Sequence, residues 1–277
     1  MYKKLFALSL LLILIAMGVQ SQTVQSQAVS FGTEMNPDEK SLTITGFKGS
    51  AAEIIIPPTI DGLPVRAIGE FAFSEKGLTS LMLPEGLETI GFFSFVGNKL
   101  TSLIIPRTVT KITAGFSNNN IESLVLSENL VEIGSISFQG NKLSSVTLPP
   151  KLEKIGQLAF ASNQLTEIVI PDSVHTIQDG AFSDNSLRSI VLPASLKELR
   201  TNIFWDNFLT GLVIPDSVVR VAGGFSEGNK ITKVTIGANV ELEGFDDSAD
   251  VLFYDCYTEN GRQKGTYIFN GKKWTRD

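Results

Sequence analysis

Apolar residues recur through most of this chain in the order Leu-x-x-Ile-x-Ile-Pro, followed by Val-x-x-Ile and then by a turn closing on Ala-Phe. The stretch Leu165-Thr-Glu-Ile-Val-Ile-Pro-Asp-Ser-Val returns, two units of twenty-two residues later, as Leu209-Thr-Gly-Leu-Val-Ile-Pro-Asp-Ser-Val. Phenylalanine stands at 73, 95, 116, 138, 160, 182, 204 and 225, and proline at 84, 106, 149, 171, 193 and 215. Self-similarity at a short fixed period marks a repeat protein. The alternation before each proline, as in Ile190, Val191 and Leu192, is that of a short strand with one buried face. Proline ends the strand because it has no N–H to donate to a ladder. A second short stretch, such as Leu152 to Ile155, precedes the turn.

A unit of this length cannot bury its own apolar edge, so stacked neighbours must supply the core. The expected fold is a right-handed solenoid of about nine 22-residue units. It has short parallel strands and little helix, is capped at both ends, and each phenylalanine lies on those of adjacent coils. Asparagine follows most of these phenylalanines by three residues, at 98, 119, 141, 163, 185 and 207, with Asn229 one place later. An amide carries donors and an acceptor, so a buried asparagine column is expected to satisfy turn backbone groups in neighbouring coils. A row of exposed, ligand-binding amides is the alternative. The expected domains are a signal peptide at 1–21, an N-terminal cap at 22–50, the solenoid at 51–244, and a C-terminal cap at 245–277. Alternation from Ser41 to Thr45 supports a strand in the first cap, and Asn270-Gly271 between apolar runs supports a hairpin in the second.

The pattern Leu-x-x-Ile-x-Ile-Pro-x-x-Val-x-x-Ile-Gly-x-x-Ala-Phe is clearest from Leu143 to Phe160 and from Leu165 to Phe182. It resembles the BspA-like, or treponemal-type, leucine-rich repeat. The segment from Ile44 to Gly49, followed by Ile56 to Phe73, looks like that family's first, insertion-bearing repeat. The resemblance covers roughly residues 42 to 244. The unit here is one residue shorter than usual in the family, and asparagine stands where cysteine is common. The resemblance implies a bacterial cell-surface or secreted protein of the attachment type. Its partner would be a protein, for example a host extracellular-matrix or cell-surface protein, and no catalysis is implied.

Composition narrows the chemistry. With 43% hydrophobic and 19% charged residues, the chain is too apolar for disorder. Its formal charge of −6 becomes two units more negative once Lys3 and Lys4 are removed, which disfavours nucleic acid as a partner. A single cysteine, Cys256, cannot form an intramolecular disulfide, and a single histidine, His175, leaves no second imidazole for a metal cluster. No catalytic residue, metal site or cofactor is expected. His175 occupies a column that also holds Glu88, Thr110, Glu153 and Lys197, so it is expected to face solvent. Asp246, Asp247, Asp250 and Asp255 lack the spacing of a calcium loop and read as a solvated linker. Lys3 and Lys4 before the apolar run Leu5 to Met17, then small residues at Gly18 and Ser21, read as a secretory signal. The run is too short for a comfortable membrane span, so none is expected after cleavage. Export leaves three destinations open, namely periplasm, outer surface and medium.

The repeats also serve as a map of outward positions. One column reads Ile55, Met82, Ile104, Val125, Thr147, Val169, Val191, Val213 and Thr235. At about 4.8 Å per coil it forms a stripe on the order of 40 Å long and roughly 400 Å2 in area, the size of the largest patches on monomers. Branched residues also simply favour strands, which is the competing explanation. The adjacent outward column is mostly serine, at 80, 102, 123, 145 and 189, leaving the stripe accessible to an extended protein segment or a hydrophobic ligand. Phe92, Trp205 and Phe208 stand where their columns are otherwise mostly polar or small, and they form a second set of candidate binding residues. Attachment through the stripe is the leading reading. A periplasmic scaffold or peptide-binding module is the second, and a polysaccharide-active enzyme a more distant third. Intact-mass measurement of protein taken from the native envelope is expected to show loss of about the first 18 to 21 residues. A retained Met1 contradicts the signal-peptide reading.

Overall fold

The computed structural model describes residues 29–245 and 250–277, so the leader and the acids at 246 and 247 lie outside the described residues. The repeats form a β-solenoid of about nine turns of ~22 residues, with little helix. Each turn contributes to two strand columns. The first includes Glu53–Ile55, Ser80–Met82, Ser102–Ile104, Ser123–Val125, Gly211–Val213 and Lys233–Ile236. The second runs from Leu63–Ile68 through Lys111–Ile112, Glu132–Ile133 and Lys154–Ile155 to Arg220–Ala222 and Glu241–Glu243. Pairing between coils is parallel and in register, Ile104 with Val125 in the first column and Lys111 with Glu132 and Lys154 in the second. The first ladder is interrupted midway, where a single bridge joins Val169 to Val191.

The interior is a stack of rings. Phe73, Phe95, Phe116, Phe138, Phe160, Phe182 and Phe204 are buried, with successive centroids 5.0 to 6.3 Å apart and interplanar angles of 1° to 16°. Phe47 extends the stack at one end, 5.6 Å from Phe73. At the other end the expectation needs correction. Phe225 leaves the column and packs on Phe245 and edge-on against Phe253. The repeat is ending there, and rings from the C-terminal segment replace the next coil.

The asparagine column lies beside this stack and does the structural work expected of it. Asn163 Oδ1 accepts from Leu143 N–H in the preceding coil, and its Nδ2 donates to Phe138 O of that coil and to Phe160 O of its own. Asn98, Asn119, Asn141, Asn185, Asn207 and Asn229 each repeat the Oδ1 bond to the preceding coil and the Nδ2 bond to its phenylalanine carbonyl. The turn bends tightly because residues two places before and after the phenylalanine take left-handed backbone, as Leu158 and Ser162 do around Phe160. The later position holds residues that tolerate this conformation, such as Asn118, Gly140 and Asp184.

Segments at both ends join the sheets. Ser30–Met35 pairs antiparallel with Leu42–Lys48, which in turn pairs with Leu63–Ile68. The insertion in the first repeat is a small hairpin, Thr59–Ile60 against Leu63–Pro64, turning on Asp61 and Gly62 with φ of 51° and 80°. At the C-terminal end Gly265–Phe269 pairs antiparallel with Lys233–Ile236 and with Trp274–Arg276. A helix, Val251–Glu259, was not expected from the sequence. It is fastened by the Tyr257 hydroxyl, which donates to Gly237 O and accepts from Val240 N–H. Asp250 begins this segment buried, accepting from the Gly224 and Ser226 amides and the Ser226 hydroxyl. It is therefore part of the packing and not of a solvated linker, while Asp255 is exposed.

Truncating the central ring, Phe160→Ala, is expected to cost about 3 to 5 kcal/mol in urea unfolding. Asn163→Ala leaves the buried Leu143 N–H without its acceptor, while the Phe138 and Phe160 carbonyls keep the Asn141 and Asn185 amides, and is expected to cost about 1 to 3 kcal/mol. A loss below about 1 kcal/mol for either variant contradicts the stacked core.

Candidate functional site

The two strand columns present opposite chemistries to solvent from the same local geometry. In the first, the middle residue of each strand points inward, as Leu103 does, and the flanking Ser102 and Ile104 point outward. Ile55, Met82, Ile104, Val125, Val169, Val191 and Val213 are 50 to 79% exposed. Thr147 is exposed between Val125 and Val169, and the serine column beside the stripe is exposed at 80, 102, 123, 145 and 189. The stripe ends at Thr235, whose hydroxyl pairs with that of Thr266 on the added antiparallel strand. Next to Val125 and Thr147 a groove of about 310 Å3 opens, floored by Leu148 and walled by Pro149 and Pro150. Its signal in the sequence is the doubled proline of that coil, shared only with Pro57-Pro58 of the first repeat, and it stands where the ladder is interrupted.

In the second column the outward residues carry charge and pair between coils. Glu132 lies 2.9 Å from Lys111 Nζ and 3.3 Å from Lys154 Nζ. Arg220 reaches Glu198 on one side and Glu241 and Glu243 on the other. The Lys111 hydrogen bond, with Lys154 on the other side, holds the Glu132 carboxyl below its ordinary value against the opposing effect of burial. His175 is exposed, 3.8 Å from a Glu153 carboxylate oxygen. It lines an open groove of about 550 Å3 whose one carboxylate, Glu198, is held by Arg200 and Arg220. Cys256 is buried in the helix, and burial pushes its thiol up.

The three out-of-place aromatics do not converge. Phe92 joins Phe71 and Phe93 in a half-exposed cluster, with the Phe92 and Phe93 centroids 4.0 Å apart and Phe71 edge-on to Phe92 at 6.4 Å. Sequence columns singled out Phe92 but missed Phe71 and Phe93, which fill the left-handed turn position beside it. Phe208 lies under the Lys230 ammonium, 5.9 Å from the ring centroid. Trp205, 39% exposed, closes one end of a groove of about 540 Å3 that runs across the turns of four coils. No ring contact joins Trp205 to Phe208 among the described residues.

The family model for the BspA type leucine-rich repeat region, six copies long, matches residues 47–165, 113–230 and 153–260. This chain belongs to the BspA-type leucine-rich repeat family. Among curated proteins none matches its sequence. A leucine-rich repeat protein from Bacteroides ovatus ATCC 8483 is 20% identical over 81% of this chain and 68% of its own, with a TM-score of 0.50. The leucine-rich repeat protein of T. pallidum is 24% identical over 77% of this chain and 83% of its own, with a TM-score of 0.39. Another from Eubacterium ventriosum ATCC 27560 is 22% identical over 79% and 60%, with a TM-score of 0.45. At these identities the likeness is one of fold. As a BspA-type repeat protein, the chain carries its ring stack inside and leaves its column chemistry free to vary outside.

The Glu132 pairs generate a pH dependence with a definite sign. Its carboxyl titrates lower in the folded state than the ordinary 4.5, so its contribution to stability is present above that value. The contribution is lost as pH falls through the depressed value. The stability gap between the parent and Glu132→Gln is therefore expected to narrow as pH drops from 7 to about 3 in thermal melts. A gap that stays constant contradicts the pairing.

Proposed function

We propose that this protein is an exported, non-enzymatic binding module that attaches to a protein partner through the apolar stripe. The observation that carries the reading is the contrast between the two columns. Strand propensity acts on both alike, yet one exposes valine, isoleucine and methionine while the other exposes Lys111, Glu132, Lys154, Glu198 and Arg220. Propensity therefore does not account for a continuous apolar column in water, and an unpaired apolar patch of this extent is the usual mark of an interaction surface. The groove beside Val125 offers a place for one anchoring side chain, and anchors seated in pockets carry most interface energy. Family membership supports protein binding in the same direction.

In this reading residues 1–21 direct export, and the pieces within 22–50 and 245–277 act as caps because they occupy strand edges and cover the end rings. No helix of the described residues is long and apolar enough to cross a membrane, which accords with release into the periplasm, onto the surface or into the medium. An extracellular-matrix or cell-surface protein of a host is the partner this surface suits. The serine column keeps the stripe open to an extended segment, and the stripe offers no charged clamp for phosphate.

The double change Val169→Lys with Val191→Lys places two charges at the most exposed positions of the stripe. Binding to immobilised fibronectin, laminin and collagen is expected for the parent. At least a tenfold loss is expected for the variant, with melting unchanged. Equal binding by parent and variant, or binding by neither, overturns the assignment.

A further inference from the structure

We propose that the groove ending at Trp205 is a second binding site, built for a neutral oligosaccharide and separate from the apolar stripe. Its floor in the two middle coils is made of small residues, Ala161 from one and Gly180 and Ser183 from the next. Gly180, with φ of +62°, adds no side chain there, where a Cβ would stand 2.6 Å from Leu158 Cδ2. Over this floor project the side chains of Gln139, Gln157, Asp184 and Asn202. None of the four side chains hydrogen-bonds within the described residues, in contrast to Asp179 on the same wall, which is taken up by Arg200 and the Thr201 amide. Three amides and a carboxylate thus face solvent from one groove with their donors and acceptors unspent.

The chemistry of the lining selects the ligand class. Among the described residues no lysine or arginine lines the groove, so phosphate, sulfate and uronate groups find no counter-charge there. An extended peptide finds no ladder to join, because the backbone along the groove is already bonded coil to coil. Leu158 N–H donates to Asp179 O, Gly180 N–H to Thr201 O, and Asp184 N–H to Trp205 O. What remains is a partly exposed indole with amide and carboxylate groups at its side. A sugar ring matches this pair of surfaces, with an apolar C–H face for the indole and vicinal hydroxyls for the amides. The coils repeat at about 4.8 Å, comparable to the advance of one ring along an extended saccharide, so each coil offers its polar groups to a successive ring.

Trp205 is also the reporter, since Trp274 is buried. The experiment titrates the purified protein with cellohexaose, xylohexaose, mannohexaose and chitohexaose, following tryptophan emission and confirming affinity by calorimetry. At least one is expected to give a saturable change in emission. Trp205→Ser restores the residue of Ser117 and Ser183 in this column, and Asp184→Gly, which keeps the left-handed turn as Gly97 and Gly140 do, removes the carboxylate; each is expected to weaken binding at least tenfold at unchanged melting temperature. If Trp205→Ser lowers the melting temperature, the exposed Asp184→Gly carries the test alone. No response to any of the four sugars overturns the proposal, as does unchanged affinity in Asp184→Gly. Stripe variants at Val169 and Val191 are expected to bind sugar like the parent, which separates this site from the protein-binding surface.

Discussion

One side-chain amide in each turn makes this structure possible. A coil of twenty-two residues that bends around a phenylalanine leaves backbone N–H and C=O groups pointing into the interior, where an unpaired group is expensive. The asparagine three places on reaches both coils at once, accepting from one backbone N–H and donating to two carbonyls. Those bonds hold adjacent turns in a single register, and the register is what brings the rings face to face at 5.0 to 6.3 Å. Where the column falters at Asn229, a residue later than its predecessors, the ring stack also stops, and Phe225 turns to the C-terminal helix. Registry and packing are thus one constraint.

That constraint also frees the outside. Once asparagine, phenylalanine and the inward strand residues have settled the fold, outward columns can change without unfolding it, and neighbouring columns have diverged. One became a ladder of interlocking charges, individually weak at the surface but mutually satisfied. Another became a run of exposed, mostly branched apolar side chains. A third, on the turns, became a groove of small and amide residues stopped by an indole. A solenoid makes such surfaces long by construction, since a property placed once per repeat becomes a line along the molecule.

The fold was legible almost entirely from the residues, because a repeat writes each buried position eight or nine times. The phenylalanine ladder, the proline stops and the asparagine column each announced a structural role, and Asn98 to Asn229 fill theirs as read. The apolar stripe was legible too, since column position translates directly into facing. Less was visible at the ends. The helix Val251–Glu259 has no repeat to compare with and little amphipathic pattern, and Asp250 looked like one acid among several until the structure placed it against Gly224 and Ser226.

What the sequence determined by itself was everything that depends on periodicity: the coil, its core, and which side chains face out. Only the tertiary structure decided which outward residues meet one another. Phe92, Trp205 and Phe208 share the property of standing out from their columns, yet one joins Phe71 and Phe93, one ends a groove and one lies under Lys230. The physical reason is that a column states direction along one coil, whereas a groove is formed between coils by the bend of the left-handed turns and by the size of the residues on them. That depends on several units at once, and no single repeat carries it.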